Sequence, residues 1–575
     1  MERSAGSFLL LIGLLGWAAA CPPVRAQALQ RPDAGSLQAP ERQIPLLPPS
    51  DAPRISLPAP RIEAPAPDSL RITPAAFRFS GNTVFDAGVL SDLLAGRTGQ
   101  ATNLAGLTEA AGLVSRYYRE NGYLLTEAYL PEQAFQATGG AVLINVVEAR
   151  IGKVRVEVEG ENGSSSFARR VATANLVPGT LITGDLLEKP VLLLRDLAGV
   201  DASATVQPGE LNGQADVLVT VRAQPRQVAG SVAVDNAGAR AAGATRVSGQ
   251  LQVASLLATG DALSVRTQIS EASRSSLYRL AYSLPVDTSG TQLSFSAATT
   301  DYALGKQFAA LGATGKARVL GALLTHPFVR TRDNSVYGVL GAEDKKFTDM
   351  IATPFNGSER RIASARLGVL GNFNDAWLGA GGSSSYALTS THGRVRMDTA
   401  SLGFDQGVGG LQTAGSFTRL NLEFQRAQFF NNPGSLHLSL QAQLASKNLA
   451  SAEKIALGGP AGVRAYPVGE GIGDTGVVVN LEYRYQLPAA LALAGEPVSV
   501  AAFYDYGTVK FNQDVLGLAG TNRLALGAVG VGALAGRVNN FLISAYLAWR
   551  TTAALPTTGD PDRSPRAWVS AQKWF

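Results

Sequence analysis

The glycine-rich run from Leu457 to Gly476 holds the residues of this 575-residue sequence with the strongest claim to chemistry. Within it, Gly471-Ile472-Gly473-Asp474-Thr475-Gly476 has the GxGxxG spacing that brings a pyrophosphate onto a helix N-terminus, but a strand pattern follows it, so no free helical N–H groups await an anion. Gly312 to Lys316 lacks both the spacing and the hydroxyl residue of a P-loop. Nucleotide chemistry is not expected at either place. Val463, Arg464 and Tyr466 in the same run want partners, and a guanidinium is built to take a carboxylate through two parallel hydrogen bonds. Asp505 is a candidate for that carboxylate. The alternation of Val498, Val500, Ala502, Tyr504 and Tyr506 turns Phe503, Asp505 and Gly507 to the opposite face of one strand. Spacing alone leaves two readings open: a pair inside the fold, or two separately solvated charges.

Other chemistry has little to draw on. Cys21 is the only cysteine, which excludes a disulfide framework and any cysteine-based zinc or iron–sulfur site. His326, His392 and His437 stand in widely separated segments, too few for a three-histidine metal site and without an evident serine and acid beside them. His437, between Leu436 and Leu438, reads as a polar residue on the wet face of a strand. Fifty Lys and Arg against 45 Asp and Glu give a mild +5, with no basic block of the kind that tracks a phosphate backbone. Neither an enzyme, a bound cofactor, a metal nor a nucleic-acid partner is expected.

The elements that must position Arg464 and Asp505 are strands. From about Arg226 onward the pattern has period two. Leu263, Val265, Thr267 and Ile269 alternate with Ser264, Arg266, Gln268 and Ser270. Leu481, Tyr483, Tyr485 and Leu487 alternate with Asn480, Glu482, Arg484 and Gln486. Segments of about ten residues, apolar on one face and polar on the other, are the signature of a membrane barrel with a wet interior. Hydrophobic residues reach 46% and charged ones only 17%, yet no apolar run approaches the roughly 20 residues of a membrane helix. About 16 strands are expected, an even number as single-chain barrels require, with a possible extra hairpin at Arg394–Gly410.

Ahead of the barrel the sequence falls into four parts. Residues 1–26 carry Arg3, an apolar stretch from Phe8 to Ala20 and small residues ending at Ala26, the pattern of a cleaved secretory signal. Residues 27–69 hold ten prolines and are expected to be an extended or unstructured periplasmic linker, with room for a short helix only before about Ile44. Residues 70–149 and 150–225 read as two small mixed domains. In the first, Leu104, Leu107, Ala111, Val114 and Tyr118 recur at helical spacing and Asn121-Gly122 ends the helix. In the second, Pro190 weakens the helical reading of Leu186–Leu197 unless it stands in the first turn.

Phe79-Ser80-Gly81-Asn82-Thr83-Val84-Phe85, Tyr118-Arg119-Glu120-Asn121-Gly122-Tyr123, Leu130-Pro131-Glu132-Gln133 and Leu194-Arg195-Asp196-Leu197-Ala198-Gly199-Val200, in that order, resemble the two periplasmic POTRA modules of two-partner secretion transporters, the hemolysin and filamentous hemagglutinin secretion-activation family. The resemblance implies a mainly β fold: an outer-membrane barrel at 226–575 after two α+β POTRA domains, with the loop at 448–475 folded back inside. In that family the loop carries Val-Arg-Gly-Tyr and its arginine pairs with an acidic residue on a barrel strand. Here these are Val463-Arg464-Ala465-Tyr466 and Asp505, flanked by Phe503 and Gly507. Ala465 replaces the glycine, which questions the tip's backbone, because alanine disfavours positive φ. Terminal Trp574 and Phe575 resemble the signal that delivers barrels for insertion, although Lys573 shares the face of Phe575 where an apolar residue is usual. The implied partners are one large, unfolded exoprotein, the outer-membrane lipid and the barrel-assembly machinery, with no nucleotide and a monomeric transporter. The competing readings are a barrel insertase of the same superfamily and a passive porin.

Overall fold

The computed structural model describes residues 32–38, 54–57, 71–134, 140–159, 165–223, 227–352, 355–517 and 520–575. The expected signal segment with Cys21, and most of the linker, lie outside the described residues. Sixteen strands close into a barrel, the first, Gln227–Asp235, meeting the last, Arg566–Trp574. That is the expected number. Arg394–Gly410 adds no hairpin: strand Gly382–Met397 runs through its start, and a helix, Thr399–Gln406, capped by the Asp398 side chain, fills the turn. The closing seam pairs only Ser570–Trp574 with Ser231–Asp235. Alternation decides the faces, so Leu340, Leu367, Leu388 and Leu420 point out to lipid while lumen-facing neighbours such as Tyr337, Val339, Leu370 and Ala387 are buried.

The first periplasmic domain packs helix Leu104–Glu120 on a sheet in which Ala141–Val147 lies between parallel Ala76–Ser80 and antiparallel Glu127–Tyr129. Asn103 caps the helix by accepting from Gly106 N at 2.9 Å. Its apolar face buries Leu107, Ala111, Val114 and Tyr118. The Tyr118 hydroxyl donates to Glu148 at 2.9 Å, and the same carboxylate accepts from Thr83 N and Val84 N at 2.7 and 2.9 Å. Burial pushes the Glu148 carboxyl up, but the bonds from Thr83, Val84 and Tyr118 outweigh it and hold the group below its usual range. A lowered folded pKa gives stability that is complete above the unfolded value of about 4.3 and is lost as pH falls through the folded value. Hydrogen-exchange protection of the 104–120 amides in the full chain is therefore expected to fall on acidification below about pH 4, and Glu148→Gln to cost about 2 kcal/mol and flatten that dependence. Identical pH curves for the two proteins would refute the assignment.

The second domain carries strands Arg150–Glu159, Val200–Pro208 and Gln214–Ala223 with helices Ser165–Asn175 and Gly184–Arg195. Pro190 stands well inside the latter helix, not in its first turn. The missing N–H removes one hydrogen bond, but Leu187, Val191, Leu192, Leu193 and Leu194 are buried around it, and this packing holds the helix through the proline. The linker is not wholly unstructured. Arg54–Ser56 adds a parallel strand to the edge of Val200–Pro208, with Ile55 opposite Ala204 and packed on the domain core. Among the described residues the edge strands of the two sheets are Ala76–Ser80 and Glu127–Tyr129 in the first, and Arg54–Ser56 and Arg150–Glu159 in the second. Asp196, from the Leu194–Val200 motif, takes both Arg330 Nη2 and Nε at 2.7 and 2.8 Å, and Ala198 O accepts from Ser255 at 2.7 Å. These contacts fasten the second domain to the periplasmic turns of the barrel.

Candidate translocation lumen

Between strands Gly434–Ala445 and Thr475–Gln486 the chain does not leave the barrel but turns into it. A two-residue ladder, Ile455-Ala456 with Ile472-Gly473, ties the loop's two legs together. Asp474, part of the GxGxxG spacing, is fully buried, accepts from Leu449 N and Gln513 N at 3.0 and 2.7 Å, and lies 3.0 Å from Lys454 Nζ. That run is thus a fold-back joint. Glu470 reaches the segment between strands Phe541–Arg550 and Arg566–Trp574 and accepts from Thr557 N and Oγ1 at 2.8 and 2.6 Å.

The loop tip brings together the residues predicted to pair. Arg464 Nε and Nη2 donate to the two Asp505 oxygens at 2.9 and 2.7 Å, and Arg464 N donates to Asp505 Oδ2 at 3.0 Å. Arg464 is 5% exposed and Asp505 0%. The guanidinium carbon stands 3.4 Å from the centre of the Phe503 ring and 5.0 Å from that of Tyr546, contacts that favour a desolvated cation. Gly507 lets the tip approach the wall: a Cβ there would stand 3.1 Å from Val463 Cγ2 and 3.2 Å from Leu457 Cδ2. Tyr466 is fully buried, and its hydroxyl donates to Ala554 O at 2.9 Å. Ala465 is also buried and its φ is not positive, so alanine fits without the strain the missing glycine suggested.

Four partners were not legible as such. Glu482 takes Arg464 Nη1 and, at 2.6 Å, Arg484 Nε. Asn480 bridges Gly462 O and Asp505 Oδ1 at 2.7 and 2.8 Å. Trp568 Nε1 donates to Arg464 O at 2.6 Å. The polar alternation 480–486 marks Asn480 and Glu482 as lumen-facing, but only the register, Asn480 opposite Asp505 and Glu482 opposite Phe503, puts them at the guanidinium. The fourth is the loop base: Glu453 is fully buried, with Lys345 Nζ and Arg419 Nε 2.9 and 2.8 Å from its oxygens.

A short helix, Ala34–Gln38, lies in the lumen against this base, before Ile44 as the proline pattern requires. Ala34 N donates to Asp349 Oδ1 at 2.8 Å, and Asp33 accepts from Arg360 Nη2 and Ser451 Oγ at 2.6 and 2.7 Å. Any side chain at Gly35 would strike Ser451 Oγ, 2.4 Å from its Cβ position. At the other end of the chain, Trp574 pairs with Ser231 in the closing seam, while Phe575 is 68% exposed and exchanges both backbone bonds with Gly230. Lys573 Nζ donates to Asn540 Oδ1 at 2.5 Å, which gives this cation a partner at the barrel's periplasmic end.

The arrangement is a polar lumen that holds a loop and a short helix, the loop fastened to the wall by buried ion pairs and the helix by the half-buried pair of Asp33 with Arg360. Comparisons with known proteins agree with it. The family model described as haemolysin secretion/activation protein ShlB/FhaC/HecB matches residues 213–532, and that of the ShlB-type POTRA domain matches residues 72–149. The heme/hemopexin transporter protein HuxB of Haemophilus influenzae is 27% identical over 462 residues, 80% of each chain. Among solved structures, CdiB from Escherichia coli superposes with a TM-score of 0.65 at 20% identity, covering 94% of this chain and 96% of that one. BamA from Haemophilus ducreyi lacking POTRA domains 1–3 gives 0.50 at 13% identity over 88% and 100%. At such identities the structural likenesses speak for the fold alone.

Proposed function

Because this chain belongs to the haemolysin secretion/activation protein family, we propose that it exports one large exoprotein, which reaches it unfolded and leaves through the lumen when the Arg464 loop yields. It is an outer-membrane β-barrel transporter with POTRA domains in the periplasm, and transporters of this family work with a large exoprotein partner. The observation that carries the rest is the single guanidinium that ties the loop tip to Asp505 and Glu482 on two adjacent strands of the lumen wall. Such a pair fixes the loop at one depth because its bonds are directional. An extended segment of the cargo adds a strand at an open POTRA edge, main-chain bonds giving affinity and alternate side chains giving choice. No nucleotide chemistry is expected of these residues, so cargo folding outside the cell is the driving force we assign. The transporter acts as a monomer and is delivered by the barrel-assembly machinery through Trp574 and Phe575.

The likeness to BamA means that fold does not separate export from barrel insertion. A paired inventory of culture supernatant and outer membrane, with and without the gene, does. Loss of one large extracellular protein with other barrels unchanged is the expected result. Depletion of many barrels would instead make the chain an insertase, and no change in either fraction would leave a porin.

A further inference from the structure

The first barrel strand leaves the periplasmic domain at Gln227, so successive turns alternate between the two membrane faces and the extracellular ends of the strands are known. Near that end, on the outward face, Arg318 lies opposite Lys346, Lys346 opposite Arg361, and Arg361 opposite Arg396: four cations in one row across four adjacent strands. Among the described residues no other four adjacent strands carry such a row. Like charges directly opposite repel, and the strands supply only part of the compensation. Glu359 lies 2.7 Å from Lys346 Nζ and Asp344 lies 2.7 Å from Arg361 Nε. Arg318 and Arg396 are exposed and have no acidic partner among the described residues, nor has the exposed Arg394 just below.

Beneath the row come Leu320, Asp344, Ala363 and Arg394, and in the next row down the outward residues become small. Ala322, Ala342 and Ala365 stand side by side, with Phe295 at one end and His392 at the other. They floor a shallow depression of about 1050 Å³ that is walled by Leu280 and Leu320 and reaches Arg394. Below it the leucine row Leu324, Leu340 and Leu367 continues the lipid-facing band. The surface of this sector is thus cationic above and troughed and apolar below.

We infer that this sector binds a phosphorylated acyl glycolipid of the outer leaflet, with its phosphates on Arg318, Arg396 and Arg394 and an acyl chain along the alanine trough. Charge complementarity selects the occupant: unpaired guanidiniums at headgroup level favour phosphate, which takes two parallel N–H donors. A zwitterionic lipid would bring its own cation to the row. The inference rests on placement in the outer membrane and not on the cargo, so it survives failure of the export proposal.

The test is native mass spectrometry of the full chain in detergent with diphosphoryl lipid A. One retained lipid per wild-type chain is expected, with occupancy about tenfold lower for Arg318→Gln/Arg396→Gln. Arg523→Gln, which removes an exposed cation at the extracellular end of another sector, should leave occupancy unchanged. Ala342→Leu/Ala365→Leu should also lower it, by filling the trough while every cation remains. Barrel folding is read in parallel from the heat-dependent gel mobility, and if the double arginine variant does not fold, Arg396→Lys and the alanine variant decide. Equal retention of phosphate-free lipid A or of phosphatidylglycerol, or equal losses in the Arg523 variant, would overturn the site.

Discussion

Arg464→Ala should abolish export of the cargo, and Asp505→Ala should do the same, while both proteins still reach the outer membrane as heat-modifiable barrels. The size of the effect follows from what each change leaves behind. Removing the guanidinium strands Asp505, which is 0% exposed, and deprives Glu482 of one of its two cations. Breaking a buried pair by deleting one partner costs about 3–5 kcal/mol, because the remaining charge is uncompensated. That is ample to release a tip whose other polar holds are uncharged hydrogen bonds, one each through Asn480 and Trp568 and two at the Tyr466 hydroxyl. Arg464→Lys keeps the charge but cannot donate to both Asp505 oxygens and Glu482 together, so an intermediate loss is expected. Cargo in the supernatant, quantified against barrel in the membrane, is the readout. Because the two residues act as one unit, the double variant should export no less than either single one. Normal export by both single variants would remove the proposed role of the pair.

The barrel was legible because its faces differ in polarity at period two, and each candidate strand between Val228 and Phe575 has a counterpart in the structure. Asp505 was legible for the same reason: alternation alone turns it inward with Phe503 and Gly507. Glu482 and Asn480 could be placed on the lumen side but not beside Arg464, since that depends on cross-strand register and a slip of one residue would reverse every side chain. The strand at Arg54–Ser56 left no trace, being three residues long and stabilised by the edge it joins. Pro190 misleads in the opposite direction, because tertiary burial of the leucines around it outweighs a local penalty. Lys345 and Arg419 come to Glu453 from strands about a hundred and about thirty residues away in sequence, and no local pattern announces such a meeting.

Glu453→Gln should free the loop at its base while leaving the Arg464 pair formed. Glu453 is fully buried between Lys345 and Arg419, themselves 7% and 3% exposed. Lys345 has a second acid, Glu343 at 2.9 Å, but Glu343 also serves Arg366 at 3.2 Å. Neutralising Glu453 therefore leaves buried Lys345 on a carboxylate that also serves Arg366, and takes from buried Arg419 the acid 2.8 Å from its Nε. The expected cost is again about 3–5 kcal/mol, whereas an exposed pair such as Arg97–Glu109 contributes far less because water screens it. The folded band on gels should convert at a lower temperature than in Arg97→Ala, and protease added from outside should cut within 446–475. Lys345→Met in the same chain should recover part of the loss, since it removes one unpaired charge and keeps most of the volume. Conversion at the wild-type temperature would mean that Glu453 does not hold the base. The two anchors together give the loop a defined mode of yielding. If the tip pair opens while Glu453 holds, the tip swings about a fixed base beside Ser451, and the helix at Ala34–Gln38, bonded to Ser451 through Asp33, keeps its seat. Only release of the base would disturb loop and helix together.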